Sequence, residues 1–326
     1  MLMDFNSLFK GFNNKHVLIV GDAMIDAYMW GEVNRISPEA PVPVVEVKKH
    51  ENRLGGAANV ALNLKALGAT PILCTIVGTG NKGALFLKLM QEAELLTSGI
   101  LSKKERKTTV KTRVIANNKH QLRIDEENIT PINNSDKFLK ITKSLMNNVD
   151  VVILQDYNKG VLTSEVIEGV IAAAKKKGIP TIVDPKEQNF NSYKNCTIFK
   201  PNSAEIKAGM NIEFDVNNIT EIEKVSTKLR KQLSAKAILL TLSERGICIN
   251  SLNEFKHTPA FKRNIIDISG AGDTVLAIAS LCLASEVKYS DLSVLSCLAG
   301  GIVCEEVGVS PINKEKLLSE ANKLIQ

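Results

Sequence analysis

Aromatic residues are scarce in this chain: they make up 5% of its 326 residues, with a single Trp. A surface that reads nucleic acid needs a concentrated basic stripe with interleaved aromatics, so this composition argues against a nucleic-acid partner. The six cysteines, at 74, 196, 248, 282, 297 and 304, form no Cys-x-x-Cys pair and fall mostly inside apolar runs. They read as buried free thiols of a reducing compartment. Four scattered histidines, at 16, 50, 120 and 257, offer no His-x-x-x-His or Cys/His cluster, so no structural zinc is expected. Long hydrophobic runs are also missing. The longest apolar helical stretch, Val275 to Ala284, is too short to span a bilayer, and the N-terminal segment with its Asp4 lacks the apolar core of a signal peptide. The expectation is a cytoplasmic protein with no membrane partner. After the first strand-like run stands Gly21-Asp22-Ala23-Met24 rather than Gly-x-Gly-x-x-Gly, which argues against a nicotinamide-dependent dehydrogenase. There is no internal repeat, low-complexity tract or long linker.

What is present suits one large core. With 44% hydrophobic residues and a mild net charge of +6, the chain fits a single α/β domain over 1–326 that handles a small anionic substrate. Val17 to Val20 reads as a buried first strand ending at Gly21-Asp22, with Asp26 close behind. From Tyr28 to Val47 the pattern becomes short alternation with Pro38, Pro41 and Pro43, and Thr109 to Ile124 reads as a hairpin turning at Asn117-Asn118-Lys119. These segments, about 27–50 and 106–126, are expected to form a small sheet that covers the site as a lid. From residue 149 onward strands and helices alternate, completing a three-layer α/β/α sandwich.

The run Asp267 to Thr274 carries the strongest chemical signal. Gly270, Ala271 and Gly272 let backbone N–H groups turn toward one point, where the following helix adds its positive end. A phosphate fits that point, and Asp273 beside it fits a base that takes a proton from an attacking alcohol. An isolated Gly-x-Gly-Asp also serves as a helix cap. Far away in the chain, Asp22, Asp26, Gly55, Gly56 and Asn59 collect carboxylates, an amide and open backbone of the kind that pairs with sugar hydroxyls. Asn202 and Glu205, three apart, suit a capping box and a magnesium ion reached through water, two roles that need not exclude each other. Thr241 to Gly246, including Ser243 and Gly246, is a strand-end loop that suits a nucleotide, and Gly300-Gly301 suits an adenine ring or close helix packing.

The order of these motifs resembles the ribokinase-like carbohydrate kinases, also called the PfkB family. Its two signatures look like Gly55-Gly56-Ala57-Ala58-Asn59 and Asp267 to Thr274. The resemblance implies ATP and Mg2+ as cofactors, Asp273 as catalytic base, and the N–H groups of Gly270, Ala271 and Gly272 as the anion hole. Gly21 to Asp26, Arg35 to Val45, Asp156 to Gly160 and Asp184-Pro185-Lys186 look most like the D-glycero-D-manno-heptose 7-phosphate kinases of lipopolysaccharide-core precursor synthesis. There the kinase is often fused to a nucleotidyltransferase domain, and this chain resembles the single-function form. By that likeness Asp22, Asp26, Gly55, Gly56 and Asn59 hold the sugar, and Lys186, Asn202, Glu205, Ser243, Gly246 and Gly272 face the nucleotide; for the sugar's phosphate, Arg35 and Arg113 are favoured among the cations Arg35, Lys111, Arg113, Arg123, Lys159 and Lys186 because both lie on the expected lid. Two departures stand out: Ala27, where the heptose kinases usually place arginine, and Ser243, often glycine in the wider family. Kinases of fructose 1-phosphate or ribose are the nearest alternative. A catalytically silent sugar sensor would be expected to lose Asp273. Exposed lid strands suggest a homodimer paired through the lid.

Overall fold

Successive residues of the first apolar run are all buried but enter different cores: Val17 and Ile19 join one, Leu18 and Val20 the other. A strand buried on both faces belongs inside a sheet with helices on both sides. The computed structural model, which describes residues 3–325, has that arrangement. In chain order the elements begin with α1 (Phe5–Gly11), β1 (His16–Gly21), β2 (Ala23–Ile36), β3 (Pro43–Gly56), α2 (Ala57–Ala66) and β4 (Thr70–Gly78). Then come α3 (Asn81–Glu92), β5 (Ile100–Lys103), β6 (Thr109–Ala116), β7 (Lys119–Glu126), α4 (Ser135–Ser144), β8 (Val151–Gln155) and α5 (Ser164–Lys176). The remainder is β9 (Thr181–Asp184), β10 (Ile198–Phe199), α6 (Ser203–Met210), α7 (Ile219–Leu233), β11 (Ala237–Thr241), β12 (Ile247–Ser251) and β13 (Phe255–Thr258). Three helices close the chain: α8 (Ala271–Ala284), α9 (Tyr289–Val303) and α10 (Lys314–Leu324).

The larger sheet has nine strands in the order β13-β12-β11-β10-β9-β8-β1-β4-β5. Its strands are parallel from β11 to β5, and β12 and β13 add an antiparallel edge. Helices α1, α2, α3, α8, α9 and α10 pack on one face, and α4 to α7 on the other. Strand order reverses between β1 and β8, because β1 leads outward to β4 while β8 leads the other way to β9. In open α/β sheets, ligands sit in the crevice beyond the carboxyl ends of the strands at such a point. Here those ends are Gly21-Asp22 and Gln155-Asp156.

The smaller sheet, in the order β3-β2-β6-β7, contains the segments 27–50 and 106–126 that the sequence set apart. Its strands are longer than the alternation suggested: β2 starts at Ala23, directly after β1, and β3 ends at Gly56, where α2 begins. The hairpin of β6 and β7 turns at Asn117 and Asn118, whose φ values of 52° and 60° suit a tight two-residue turn between twisted strands. All six cysteines are buried and free, and among the described residues no helix is long and apolar enough to cross a membrane.

Candidate active site

Two helix N-termini converge at the crevice, and both begin after a glycine in a backbone conformation that side chains disfavour. Gly56 (φ 59°) precedes α2 and Gly270 (φ 84°) precedes α8, and neither helix start has a side-chain cap. Asn59 and Asp273 each occupy the third position of their helix, and they meet: Asn59 Nδ2 donates to Asp273 Oδ2 at 2.7 Å. Asp273 therefore does not cap its own helix. Its Oδ1 accepts from Tyr157 Oη at 2.8 Å and from Gln155 Nε2 at 3.1 Å. Burial pushes this carboxyl up to about 6; the hydrogen bond from Asn59 opposes the shift, nearby Asp184 adds to it, and Tyr157 and Lys200 pull it down. Behind the pair, Asn63 Oδ1 accepts from Thr274 Oγ1 at 3.0 Å and from the backbone N–H of Ile312 at 3.1 Å, locking α2 against α8.

The first turn of α8 leaves its N–H groups without intrahelical acceptors, as a phosphate cradle requires. That of Ala271 is held loosely by Ile268 O at 3.3 Å. A side chain added at Gly272 would find its nearest neighbour, Lys200 Nζ, only at 4.0 Å, so the approach to the cradle is open.

Asp22 has a different task from the one its position suggested. Its Oδ2 accepts from the backbone N–H groups of Tyr157 (3.0 Å) and Lys159 (2.9 Å), and its Oδ1 from Val161 (3.0 Å). The carboxylate is 1% exposed and pins the loop after β8, leaving no free face for a sugar. Asn59, expected at the sugar, gives one N–H of its amide to Asp273. Asp26, buried on β2, is ion-paired with Arg113 and lies opposite Arg53 in the ladder. Gly55 is required there, since any side chain would collide with the Asp26 carboxylate. Arg113 and Arg53 bracket the Tyr28 ring, at 5.4 and 4.9 Å from its centroid. Arg35 is not brought to this group. It lies nine positions beyond Asp26 on β2, about 30 Å away at the rise of an extended strand, and is exposed near the end of the ribbon.

On the other flank, Asn202 and Glu205 form a reciprocal capping box: Asn202 Oδ1 accepts from the Glu205 N–H at 2.8 Å and Glu205 Oε2 from the Asn202 N–H at 2.9 Å. Glu205 Oε1 is ion-paired with Lys186. Ser243 and Gly246 lie in the turn joining β11 to β12, next to the start of α6, with positive φ values of 53° and 91°. Serine thus holds a left-handed position that glycine adopts without strain. Gly300 and Gly301 serve close packing, against Val275 and Arg263. Sequence reasoning missed Gln155, Lys200 and Arg53 as participants. Lys200 is 3% exposed and paired with Asp184 at 3.1 Å.

A three-layer sandwich with its switch point beside a glycine-started helix and a buried carboxylate has the parts of a phosphoryl-transfer site. The chain belongs to the pfkB family of carbohydrate kinases, whose model matches residues 14–316. It is 38% identical over 312 residues to the bifunctional protein HldE of Desulfatibacillum aliphaticivorans, covering 95% of this chain and 63% of that protein. It is 36% identical over 305 residues to the bifunctional protein HldE of Helicobacter pylori strain HPAG1, covering 93% and 65%. The chain thus spans a little under two thirds of these relatives. Among solved structures it resembles phosphofructokinase-2 from Escherichia coli in complex with potassium, with a TM-score of 0.78, 16% identity and coverage of 96% and 99%. Ribokinase of Arabidopsis thaliana with ribose and ATP gives a TM-score of 0.73 at 19% identity, covering 93% and 98%. The fold is ribokinase-like.

The altered role of Asp22 has a measurable consequence. Asp22→Ala should destabilise the protein by roughly 2–4 kcal/mol, through three N–H groups left without their acceptor, as read from urea unfolding. A rise in the sugar KM with unchanged stability would contradict it.

Proposed function

We propose that this kinase transfers the γ-phosphoryl group of ATP to the anomeric hydroxyl of D-glycero-D-manno-heptose 7-phosphate, giving the 1,7-bisphosphate. The observation that carries phosphoryl transfer is Asp273: a buried carboxylate held by three donors at the open first turn of α8. The choice of heptose is supported by the segments Gly21 to Asp26, Arg35 to Val45, Asp156 to Gly160 and Asp184 to Lys186, together with the similarity to bifunctional HldE proteins. Such a product belongs to the synthesis of a lipopolysaccharide-core precursor.

In this mechanism the hydroxyl proton passes to Asp273 as the oxygen attacks the γ-phosphorus in line, and the bond to the ADP oxygen breaks. The N–H groups of Gly270, Ala271 and Gly272 take up the charge that develops. Asp26, Gly55 and Gly56 border the sugar, and Arg113, with Arg53 beside it, faces its phosphate. The small sheet excludes water from the reacting oxygens. Lys186, Ser243 and Gly246 border the nucleotide.

Among the described residues no group of three or more Asp, Glu, His or Cys side chains could hold a metal, and the oxygens of Asn202 and Glu205 already have donors. Asn202 and Glu205 would hold a nucleotide-borne magnesium ion through its waters, using their remaining lone pairs. When bound, the ion draws charge from the transferring phosphoryl group.

ADP release measured with heptose 7-phosphate, fructose 1-phosphate, fructose 6-phosphate and ribose tests the proposal. Heptose 7-phosphate should give the highest kcat/KM, and a pentose turned over as well or better would overturn it. Asp273→Asn should lower kcat by about a hundred- to ten-thousand-fold. A base works only when deprotonated, so the rate of the parent enzyme should be flat at neutral pH and fall as pH drops through about 6. We further propose a homodimer formed through the small sheet, whose edge strand β7 is exposed along its whole length and shows Leu122 and Ile124 to solvent. Sedimentation should give twice the chain mass, and Leu122→Glu with Ile124→Lys should return it to one.

A further inference from the structure

Gln155, the last residue of β8, is 1% exposed and gives its side-chain amide to two carboxylates at once. Nε2 lies 3.1 Å from Asp273 Oδ1 and 3.4 Å from Asp184 Oδ2, while Oε1 is buried without a partner. The reverse orientation of the amide would set its carbonyl against both anions, so electrostatics fix the assignment. A buried carbonyl with no donor costs stability, and such costs persist where the arrangement serves function. The backbone of Gln155 is equally fixed, its carbonyl accepting from the Asp22 N–H at 3.1 Å.

We propose that Gln155 is a positioning residue that selects Oδ2 of Asp273 as the oxygen receiving the substrate proton. This rests on Asp273 being the base. Each carboxylate oxygen has two in-plane lone pairs. Those of Oδ1 are taken by Tyr157 Oη and Gln155 Nε2, while Oδ2 has one donor, Asn59, and one lone pair left. The proton of the attacking hydroxyl enters that vacant position, its oxygen bonds to the γ-phosphorus, and the ADP oxygen leaves with the electron pair. Gln155 also sets a donor between two anions that otherwise repel. The polar and charged groups facing Asp273 are Asn59 from α2, Gln155 and Tyr157 from the end of β8, Asp184 from β9 and Lys200 after β10. Losing the bridge removes a hydrogen bond to the charged form and leaves the repulsion from Asp184 uncompensated. Both effects favour the protonated acid.

The test begins with the substrate-free protein. Carboxyl-carbon NMR titration of aspartate-labelled protein, with Asp273→Asn assigning the resonance, should show the Asp273 midpoint in Gln155→Met about half to one pH unit above the parent. With the sugar the parent turns over best, the acid limb of kcat should move upward equally and kcat should fall about tenfold, while KM stays within about twofold. Gln155→Asn, whose shorter amide reaches neither carboxylate, should behave alike and serves if the Met variant does not fold. An Asp273 midpoint and acid limb unchanged in the folded variants would overturn the proposal and leave Gln155 a packing residue. If heptose 7-phosphate is not a substrate but the Asp273 resonance shifts as described, the sugar assignment falls and the positioning role stands.

Discussion

The crevice is organised around a carboxylate that stays ionisable where water is excluded. Taking a carboxylate out of water is unfavourable unless fixed donors replace its hydration. Asp273 has three: an amide from α2, another from the end of β8, and a phenol from the loop after it. These donors come from chain segments that only the folded sheet brings together, so the site exists only once both halves of the sandwich are assembled. The surrounding architecture supports that meeting. Asp22 pins the loop that carries Tyr157, Asn63 locks α2 to α8, and Gly56 and Gly270 let both helices start at the crevice floor. The residual penalty appears as the pKa of Asp273, raised to about 6, close enough to neutrality that the group accepts a proton readily and is still mostly charged at pH 7.

Much of this was legible in the sequence because it depends on local rules. Buried parallel strands announce themselves as short apolar runs, the Asn117-Asn118 turn by residues that tolerate positive φ, and the α8 cradle by small residues before an apolar helix. Asn59 and Asp273 were each visible, but their contact was not, since it spans chain-distant elements. Asp22 was misjudged because a carboxylate at a strand end looks the same whether it faces a ligand or the N–H groups of a loop. Arg35 was misjudged because strand length is set by pairing: two 14-residue strands carry it far from the crevice. Asn202 and Glu205 fit two patterns at once, and the capping box is formed. Gln155 and Lys200 had no signal of their own, because a single polar residue beside an apolar strand has no period or spacing to mark it.

The cations of the crevice are already balanced. Arg113 is paired with Asp26, Lys186 with Glu205, Lys200 with Asp184, and Lys111 and Lys159 with Glu127. Arg106 is satisfied by the backbone carbonyls of Thr130 and Lys159, and Arg53 by Glu51 and the carbonyl of Val309. A net charge of +6 therefore does not mean an open basic surface at the site. In the buried Lys200–Asp184 pair, leaving one partner alone costs roughly 3–5 kcal/mol, so Lys200 does not wait unpaired for an anion. A phosphate entering such a crevice would bind by exchange, sharing or taking the cation of a resident carboxylate. An anion gains from that exchange only where its geometry matches the carboxylate it relieves, which makes the paired state a filter for shape as well as for charge.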